Sequence, residues 1–221
     1  RISLFRWRDQ ELLFGVLHDI TERKRYLATQ EFLANHDSLT RLPNRYWLNH
    51  HLEQRLAQAD APPFAVLLLD MNRFKEVNDT LGHQHGDQVL TELGQRLQEW
   101  LSEQNSVIAR LGGDEFLLLY DRCLLSAEVQ QLLHPLLSSY TLQQSGINLK
   151  LTTGIYNFTA GQLSANDALR RVDIALDNAR RTAQGIAFYQ QGQDESHQRE
   201  LTLIRDLPEA LNSGQFFAVY Q

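Results

Sequence analysis

Three acidic residues of this sequence stand where a β-strand is expected to meet a turn. Asp70 directly follows the apolar run 64–69, and the pair Asp114-Glu115 directly follows Gly112-Gly113. If the two strands are neighbours, the three carboxylates lie together at one edge of a sheet. Clustered carboxylates repel one another, and desolvation raises their pKa values unless a hard cation neutralises them. The pattern therefore indicates a divalent cation site, and Mg²⁺ suits it best where phosphate oxygens complete the coordination.

Each part of this pattern also has an ordinary structural explanation. An acid at a strand end is commonly a helix cap or a solvated residue, and a Gly-Gly hairpin is usually only a turn. Acids at a strand edge can also serve to discourage strand pairing. The combination favours a site, because Lys75, Asn78 and Asp87 lie between the two apolar strands. The two glycines add to this, since backbone without a Cβ can approach a ligand closely and adopt a positive φ.

The elements expected to position these residues alternate between strands and helices. Thr21 and Asn44 are predicted N-caps, and Gly112-Gly113 is predicted to join two strands as a hairpin. Hydrophobic spacing and turn residues predict strands at 11–20, 64–69, 106–111, 115–120, 149–156, 187–189 and 216–220, and helices at 21–35, 45–59, after Gly86, and at 126–140, 164–182 and 195–211. This order predicts an α+β fold of the ferredoxin-like type, a mixed central sheet flanked by helices with an embedded hairpin.

Three separated segments resemble one known family. Residues 110–116, Arg-Leu-Gly-Gly-Asp-Glu-Phe, resemble the signature hairpin of the GGDEF family, the diguanylate cyclases. Residues 70–87 resemble the metal and guanine segment of that family, and residues 37–45 resemble its opening turn. The match runs from about residue 37 to residue 189 in family order and spacing, which implies the nucleotidyl-cyclase variety of the predicted fold.

The resemblance implies a role for each matching residue. Asp70 and Asp114 would bind Mg²⁺, with Mn²⁺ as an alternative, through their carboxylates, and Met71 would bind it through its backbone carbonyl. Glu115 would support the same metal site, and Asp114 would also help to deprotonate the attacking 3′-hydroxyl, so these two are the implied catalytic residues. The implied substrate-binding residues are Asn78 and Asp87 at the guanine edge, Lys75 and Arg180 at the phosphates, and Phe74, Gly112 and Gly113 around them.

The implied reaction is phosphoryl transfer between two GTP molecules, which yields cyclic di-GMP, a bacterial second messenger, and releases pyrophosphate. One domain holds one GTP, so a homodimer is implied as the active form.

Five positions depart from the family pattern. Asn72 stands where a second acid is frequent, and Asp177 stands where Tyr is common. Gln184 replaces a cation near the triphosphate, which could weaken GTP binding. The inhibitory product site of the family needs Arg-x-x-Asp upstream of the hairpin, and here Glu103 and Ser106 occupy those positions. We therefore expect no product inhibition through that site.

The flanks give shorter resemblances. Residues 1–20 resemble the end of a PAS sensory domain, 21–36 a linker helix, 37–190 the GGDEF domain, and 191–221 a linker with the beginning of an EAL-like domain. An upstream PAS domain and a downstream EAL domain would then be partners in a parent chain. The sequence starts at Arg1 and ends in an apolar strand, so we expect a segment of a longer protein. The linker helix could pair with a copy of itself or be solvated; the sequence supports both equally.

Composition limits the remaining classes of protein. Apolar residues make up 43% of the 221, enough for a substantial core, and the net charge of -6 with scattered Lys and Arg argues against a nucleic-acid binder. Cys123 is the only cysteine, so no intrachain disulfide can form, which fits a reducing compartment. No apolar run approaches the length that spans a bilayer. We expect a cytoplasmic domain, whose parent protein could be anchored to a membrane.

Three functions stay open at this point. The first is an active diguanylate cyclase, which the intact hairpin, Asp70, Asn78 and Asp87 favour. The second is a regulatory module that binds GTP and controls a downstream EAL phosphodiesterase. This function is favoured by Asp177, Gln184 and the EAL-like tail. The third is an interaction scaffold with an inactive site, which leaves the polar residues unexplained.

Overall fold

A computed structural model describes residues 2–7, 10–15, 19–58, 62–101, 106–129, 133, 140–141, 148–159 and 161–213. They divide into two compact units, residues 1–35 and residues 36–221. The first unit contains the antiparallel strands β1 (Ile2–Trp7) and β2 (Gln10–Gly15) and the helix α1 (Thr21–Asn35). The predicted helix bounds are confirmed, but the predicted N-cap is wrong. Thr21 is the first helical residue, and its backbone N–H donates to Asp19 Oδ1 at 2.8 Å.

The second unit is built on a mixed five-stranded sheet. Its strands are β3 (Phe64–Met71), β4 (Val107–Gly112), β5 (Glu115–Tyr120), β8 (Leu151–Phe158) and β9 (Ile186–Phe188). Their order is β4-β5-β3-β8-β9, and β8 with β9 is the parallel pair. A separate pair joins β6 (Tyr140–Thr141) to β7 (Asn148–Leu149). Five helices of this unit have both ends within the described residues: α2 (Arg45–Leu56), α3 (Phe74–Leu81), α4 (His83–Leu101), α5 (Ala165–Arg180) and α6 (Gln193–Asn212).

Helices cover both faces of this sheet. Successive side chains of a strand point to opposite faces, and in β3 the residues Leu67 and Leu69 belong to one core cluster and Val66 and Leu68 to the other. The first cluster includes buried residues of α3 and α4, and the second includes buried residues of α2 and α5. Asp70 has the parity of Val66 and Leu68, so it lies on the α2–α5 face. The predicted α+β fold with an embedded hairpin is confirmed.

Several predicted bounds need correction. The region before Gly86 was not predicted as helical, yet it forms α3, and α4 begins at His83 rather than after Gly86. Gly82, with φ of 86°, separates these two helices. In the predicted helix 126–140, residues 126–129 and 133 are helical, whereas Tyr140 is in a strand because Tyr140–Thr141 pairs with Asn148–Leu149. The strand predicted at 216–220 lies outside the described residues.

None of the helices within the described ranges combines the length and the apolar character that a membrane span requires.

Candidate active site

Two of the three acids face each other across neighbouring strands. In the antiparallel pairing of β3 with β5, Asp70 is the register partner of Glu115, and on its other side Asp70 pairs with Thr152 of β8. Register partners share one face of a sheet, so both carboxylates lie on the face covered by α2 and α5. The Asp70 side chain is 15% exposed and that of Glu115 is 34% exposed. Asp114 precedes Glu115 in the turn, so the three acids lie at the end of the sheet where β3 ends and β5 begins.

The turn between β4 and β5 depends on its glycines. Gly112 has φ of 134° and Gly113 has φ of 57°, conformations that favour glycine over any residue with a Cβ. At both positions no described atom lies within 4 Å of the place that a Cβ would take. Arg110 fixes the turn, because its Nε and Nη2 donate to the carbonyl oxygen of Gly113 at 3.1 and 2.7 Å. The backbone of the turn is therefore fixed on one side and open on the other.

The acids at this edge disturb one another. Burial raises the pKa of Asp114, the charge of Asp70 adds to the rise, and Arg180 and Arg110 oppose it. Burial also raises the pKa of Glu115. The positive charge of Arg45 lowers this pKa, and the negative charges of Asp173, Asp70 and Asp114 raise it further. Negative charge is thus concentrated here at an energetic cost, which a bound cation would relieve.

Arg180 is the cation that the structure places against Asp70. Its Nη2 lies 3.3 Å from Asp70 Oδ2, and its Nη1 donates to Asp177 Oδ1 at 2.8 Å. Burial works to lower the pKa of Arg180, but the two carboxylates outweigh this and raise it. Arg180 is the last residue of α5, and Asp173, Asp177 and Arg180 follow one another along this helix at helical spacing and so share one face.

The residues assigned to guanine lie where α3 meets α4. Asn78 packs directly over Gly86, since a Cβ at position 86 would lie 2.0 Å from Asn78 Oδ1 and 3.1 Å from the ring of Phe74. Asp87 follows Gly86 on α4 and is exposed, and Lys75 is exposed on α3. Gly86 thus leaves room for the half-buried amide of Asn78, and the exposed Asp87 directly follows this glycine in α4.

A divalent cation fits the donors at the sheet edge, although not as a cage of side chains. Within the described ranges, no group of three or more His, Cys, Asp or Glu side chains is arranged to surround a metal ion. Mg²⁺ is usually held by one or two carboxylates together with substrate phosphates. Asp70, Asp114 and the backbone carbonyl of Met71 supply such an incomplete oxygen set, and burial, which raises the pKa of Asp114, adds to the cost of its charge unless a cation is bound.

Two residues near the acids were not predicted as site residues. Arg45, the first residue of α2, places Nη2 3.7 Å from Glu115 Oε2 and donates from Nε to the carbonyl oxygen of Leu111 at 3.4 Å. Asp173 contributes negative charge at Glu115. A signal for Asp173 was present in the sequence, because it precedes Arg180 by seven residues and so lies on the same helix face.

The positions that depart from the family pattern have different surroundings. Asn72 Oδ1 accepts a hydrogen bond from Thr152 Oγ1 at 2.8 Å, beside Asp70. Gln184 is exposed after the end of α5. Of the two residues in the inhibitory-site positions, Glu103 lies outside the described residues, and Ser106 Oγ accepts from the backbone N–H of Asp121 at 3.4 Å.

Comparison with known proteins points in one direction. The sequence profile of the family described as "Diguanylate cyclase, GGDEF domain" matches residues 34–185. The bifunctional diguanylate cyclase/cyclic di-GMP phosphodiesterase MucR of Pseudomonas aeruginosa is 33% identical over 195 residues, which cover 86% of this chain and 28% of MucR. The diguanylate cyclase DgcM of Escherichia coli is 34% identical over 173 residues, which cover 77% of this chain and 42% of DgcM. The chain therefore spans less than half the length of these curated relatives.

Solved structures agree with this result. The GGDEF domain of TpbB (YfiN) from Pseudomonas aeruginosa superimposes with a TM-score of 0.64 at 33% identity, covering 74% of this chain and 99% of that one. The coiled coil and GGDEF domain of DgcB from Caulobacter crescentus, solved with c-di-GMP, superimposes with a TM-score of 0.66, covering 76% and 93%. At 23% identity the second likeness shows the fold alone.

Proposed function

The chain belongs to the GGDEF family of diguanylate cyclases, and on this premise we propose that it condenses two GTP molecules into cyclic di-GMP as a dimer. The observation that carries the proposal is the register of β3 with β5. It sets Asp70 opposite Glu115, directly beside a turn whose two glycines have positive φ values and open space at their Cβ positions.

The proposed metal ligands are the carboxylates of Asp70 and Asp114 and the carbonyl oxygen of Met71, with Glu115 in support. A bound Mg²⁺ or Mn²⁺ would polarise phosphate oxygens and neutralise the charge that develops on them. The protein's own part is to hold these oxygens at one sheet edge. Because β3 is paired on both sides, with β5 and with β8, the end of this strand that carries the oxygens is rigid.

Asn78 and Asp87 are proposed to select guanine. A guanine base presents N–H donors on its Watson–Crick edge, and a carboxylate accepts two of them, whereas adenine presents a different pattern. The amide of Asn78 can both donate and accept, and its contact with Gly86 limits where it can point. Lys75 and Arg180 are proposed to contact the phosphates, and Phe74 supports the site from the core, where it is 9% exposed.

In the proposed reaction the 3′-oxygen of one GTP attacks the α-phosphorus of the other. The bond from that phosphorus to the bridging oxygen breaks, pyrophosphate leaves, and the second ester bond forms in the same way. The Asp114 carboxylate, at the tip of the hairpin, is proposed to take the hydroxyl proton. Because each domain positions one nucleotide, two domains have to face each other.

The direct test is product formation from GTP with Mg²⁺, followed by chromatography at protein concentrations high enough to favour dimers, with the Asp114→Ala variant in parallel. We expect cyclic di-GMP from the wild-type chain and at least about a hundredfold less from the variant, the lower end of what a general base contributes. Equal rates for the two proteins would remove Asp114 from the mechanism.

A second function is favoured by one observation, the engagement of Arg180 by two carboxylates where Gln184 adds no charge. It is a GTP-binding regulatory module that controls a downstream EAL-like domain. The proposed organisation is the end of a PAS-like domain at 1–20, a linker helix at 21–36, the GGDEF domain at 37–190 and the beginning of an EAL-like domain at 191–221, in a cytoplasmic setting. Metal-dependent GTP binding without any product at high protein concentration would favour this function.

A further inference from the structure

The guanidinium of Arg180 is shared between two carboxylates of different origin. Asp70 belongs to β3, whereas Asp177 belongs to α5 itself and lies three residues before Arg180. The contact with Asp177 is the shorter one, 2.8 Å against 3.3 Å. Both partners on the helix are partly exposed, 46% for Arg180 and 39% for Asp177. Asp177 therefore contacts the part of Arg180 that is exposed to solvent, where a ligand would also bind this guanidinium.

The helix itself does not need an acid at this position. α5 ends at Arg180, so Asp177 lies in its last turn, where the helix dipole disfavours a carboxylate. Its contact with Arg180 offsets that cost, but a neutral side chain would avoid the cost altogether. An acid at position 177 thus does not make α5 more stable than a neutral residue would. We therefore look for the effect of Asp177 at the site.

Position 184 adds no positive charge for a terminal phosphate at this end of the site. The side chain at 184 is an exposed, neutral Gln. Asp173 and Asp177 add negative charge on the same helix face as Arg180. A phosphate that binds Arg180 must share its N–H donors with Asp177 or replace that carboxylate, and the two anions repel each other at close range.

We infer that Asp177 determines how the site ranks guanosine nucleotides: its carboxylate competes with the terminal phosphate of GTP for Arg180, so that GTP is favoured over GDP by little. The inference rests on the proposed function, in which Arg180 contacts the terminal phosphate. GDP lacks that phosphate, so its binding depends on Arg180 and Asp177 much less. The site would then hold a spent or partial nucleotide almost as well as its substrate.

The test is calorimetric titration of the whole chain with GTP and with GDP, each in the presence of Mg²⁺. Asp177→Asn is expected to tighten GTP binding roughly threefold to fivefold, the range of an exposed ion pair, and to change GDP binding by less than about twofold. Asp177→Glu keeps the charge and should keep the wild-type ratio of the two affinities. Glu92→Gln is the matched control, because it removes one acid from an exposed Arg pair on α4, and it should leave both affinities unchanged.

A double-mutant cycle assigns the effect to Arg180. In an Arg180→Gln background, Asp177→Asn should no longer improve the ratio of GTP to GDP affinity, since the contested donors are gone. An equal improvement in both backgrounds, or no change of the ratio in the wild-type background, would overturn the inference. If GTP binds and only the ratio fails to move, the proposed function stands without the inference. If neither nucleotide binds to the wild type or to Asp177→Asn, both fail together.

Discussion

Arg110 joins Asp37 to the turn between β4 and β5. Its Nη1 lies 2.8 Å from Asp37 Oδ1, while its Nε and Nη2 donate to the carbonyl oxygen of Gly113. The Arg110 side chain is 9% exposed and that of Asp37 is 22% exposed. The same Asp37 oxygen accepts from the backbone N–H and the hydroxyl of Thr40, at 2.8 and 2.7 Å. One partly buried network therefore fixes the turn at the start of the second unit to the glycine turn.

Asp37→Asn is expected to destabilise the fold by about 1 to 3 kcal/mol at neutral pH, since it weakens hydrogen bonds in which one partner is charged. The free energy of unfolding from urea titration measures this. Glu92→Gln, in an exposed pair with Arg96, serves as the control and should cost no more than about 0.5 kcal/mol. Similar losses in the free energy of unfolding of the two variants would show that the Asp37 network stabilises the fold no more than an exposed ion pair does.

The contribution of Asp37 should also depend on pH. Partial burial works to raise its pKa, but the hydrogen bonds from Thr40 and the charge of Arg110 outweigh it, so the pKa of Asp37 is lowered in the folded state. A lowered folded pKa gives stability that is present above the unfolded value, about 4, and is lost as pH falls through the folded value. The difference between wild type and Asp37→Asn should therefore be full at pH 6 and shrink below about pH 4. A difference that stays constant down to pH 2.5 would contradict this.

Gly86→Ala should impair guanine recognition while the fold persists. The new methyl group would lie 2.0 Å from Asn78 Oδ1, so the Asn78 amide has to leave its present position. Alanine improves helix propensity by about 1 kcal/mol, so thermal stability should fall little. We expect at least tenfold weaker GTP binding and a reduced preference for GTP over ATP in a competition assay.

The control for this variant is Gly94→Ala on the same helix, where the new methyl group meets the flexible end of Leu42 at 3.2 Å. It receives the same gain in propensity without touching Asn78. Loss of GTP binding in both variants would point to a general disturbance of α4 rather than to the guanine site.

The sequence predicted the sheet better than the helices α3 and α4. The strands 64–69 and 115–120 are short apolar runs bounded by turn residues, and the structure extends the first only by Asp70 and Met71. By contrast, α3 is rich in residues such as Asn78 and Asp79, which compete with helical hydrogen bonding, so local propensity did not indicate it. It is stabilised by tertiary packing of Phe74 and Val77, which a single sequence does not display.

The same limit applies to the candidate site. Adjacent acids and glycines could be recognised from the sequence because each has a local signal. The contacts between distant residues could not, because they depend on which strands and helices become neighbours. Arg110 with Asp37, 73 positions apart, and Arg45 with Glu115 are of this kind.

Asp70→Ala is expected to abolish Mg²⁺-dependent GTP binding. The variant removes a carboxylate that is 15% exposed and releases Arg180 from one of its partners, so the loss of metal affinity should exceed any gain for phosphate at Arg180. Calorimetry with GTP, with and without Mg²⁺, separates the two effects. Unchanged binding in the presence of Mg²⁺ would remove Asp70 from the metal site, and the exposed Glu53→Gln on α2 should behave as the wild type.

The start of α6 contacts its neighbours through a compact polar cluster. Tyr189 Oη donates to Asp194 Oδ2 at 2.7 Å, and Arg171 Nη1 donates to Tyr156 Oη at 2.8 Å. The Arg171 guanidinium lies 5.4 Å from the ring centres of both tyrosines, and its Nε is 3.6 Å from Asp194 Oδ2. Asp194 is 20% exposed, so the cluster is largely shielded from water and from salt.

Asp194→Ala should loosen α6 from α5 and leave the sheet intact, because the cluster joins only the first turn of that helix to its neighbours. We expect a loss of about 1 to 3 kcal/mol in the local free energy of opening, the cost of leaving polar partners unsatisfied. Hydrogen exchange of the α6 backbone amides should accelerate accordingly, roughly five- to a hundredfold, while exchange in β3 stays unchanged. Asp206→Ala is the matched control on the same helix, since Asp206 pairs with Arg205 and is 57% exposed, and it should leave exchange unaltered. If the two variants accelerate exchange equally, the helix is held by its apolar contacts and the polar cluster does not fasten it.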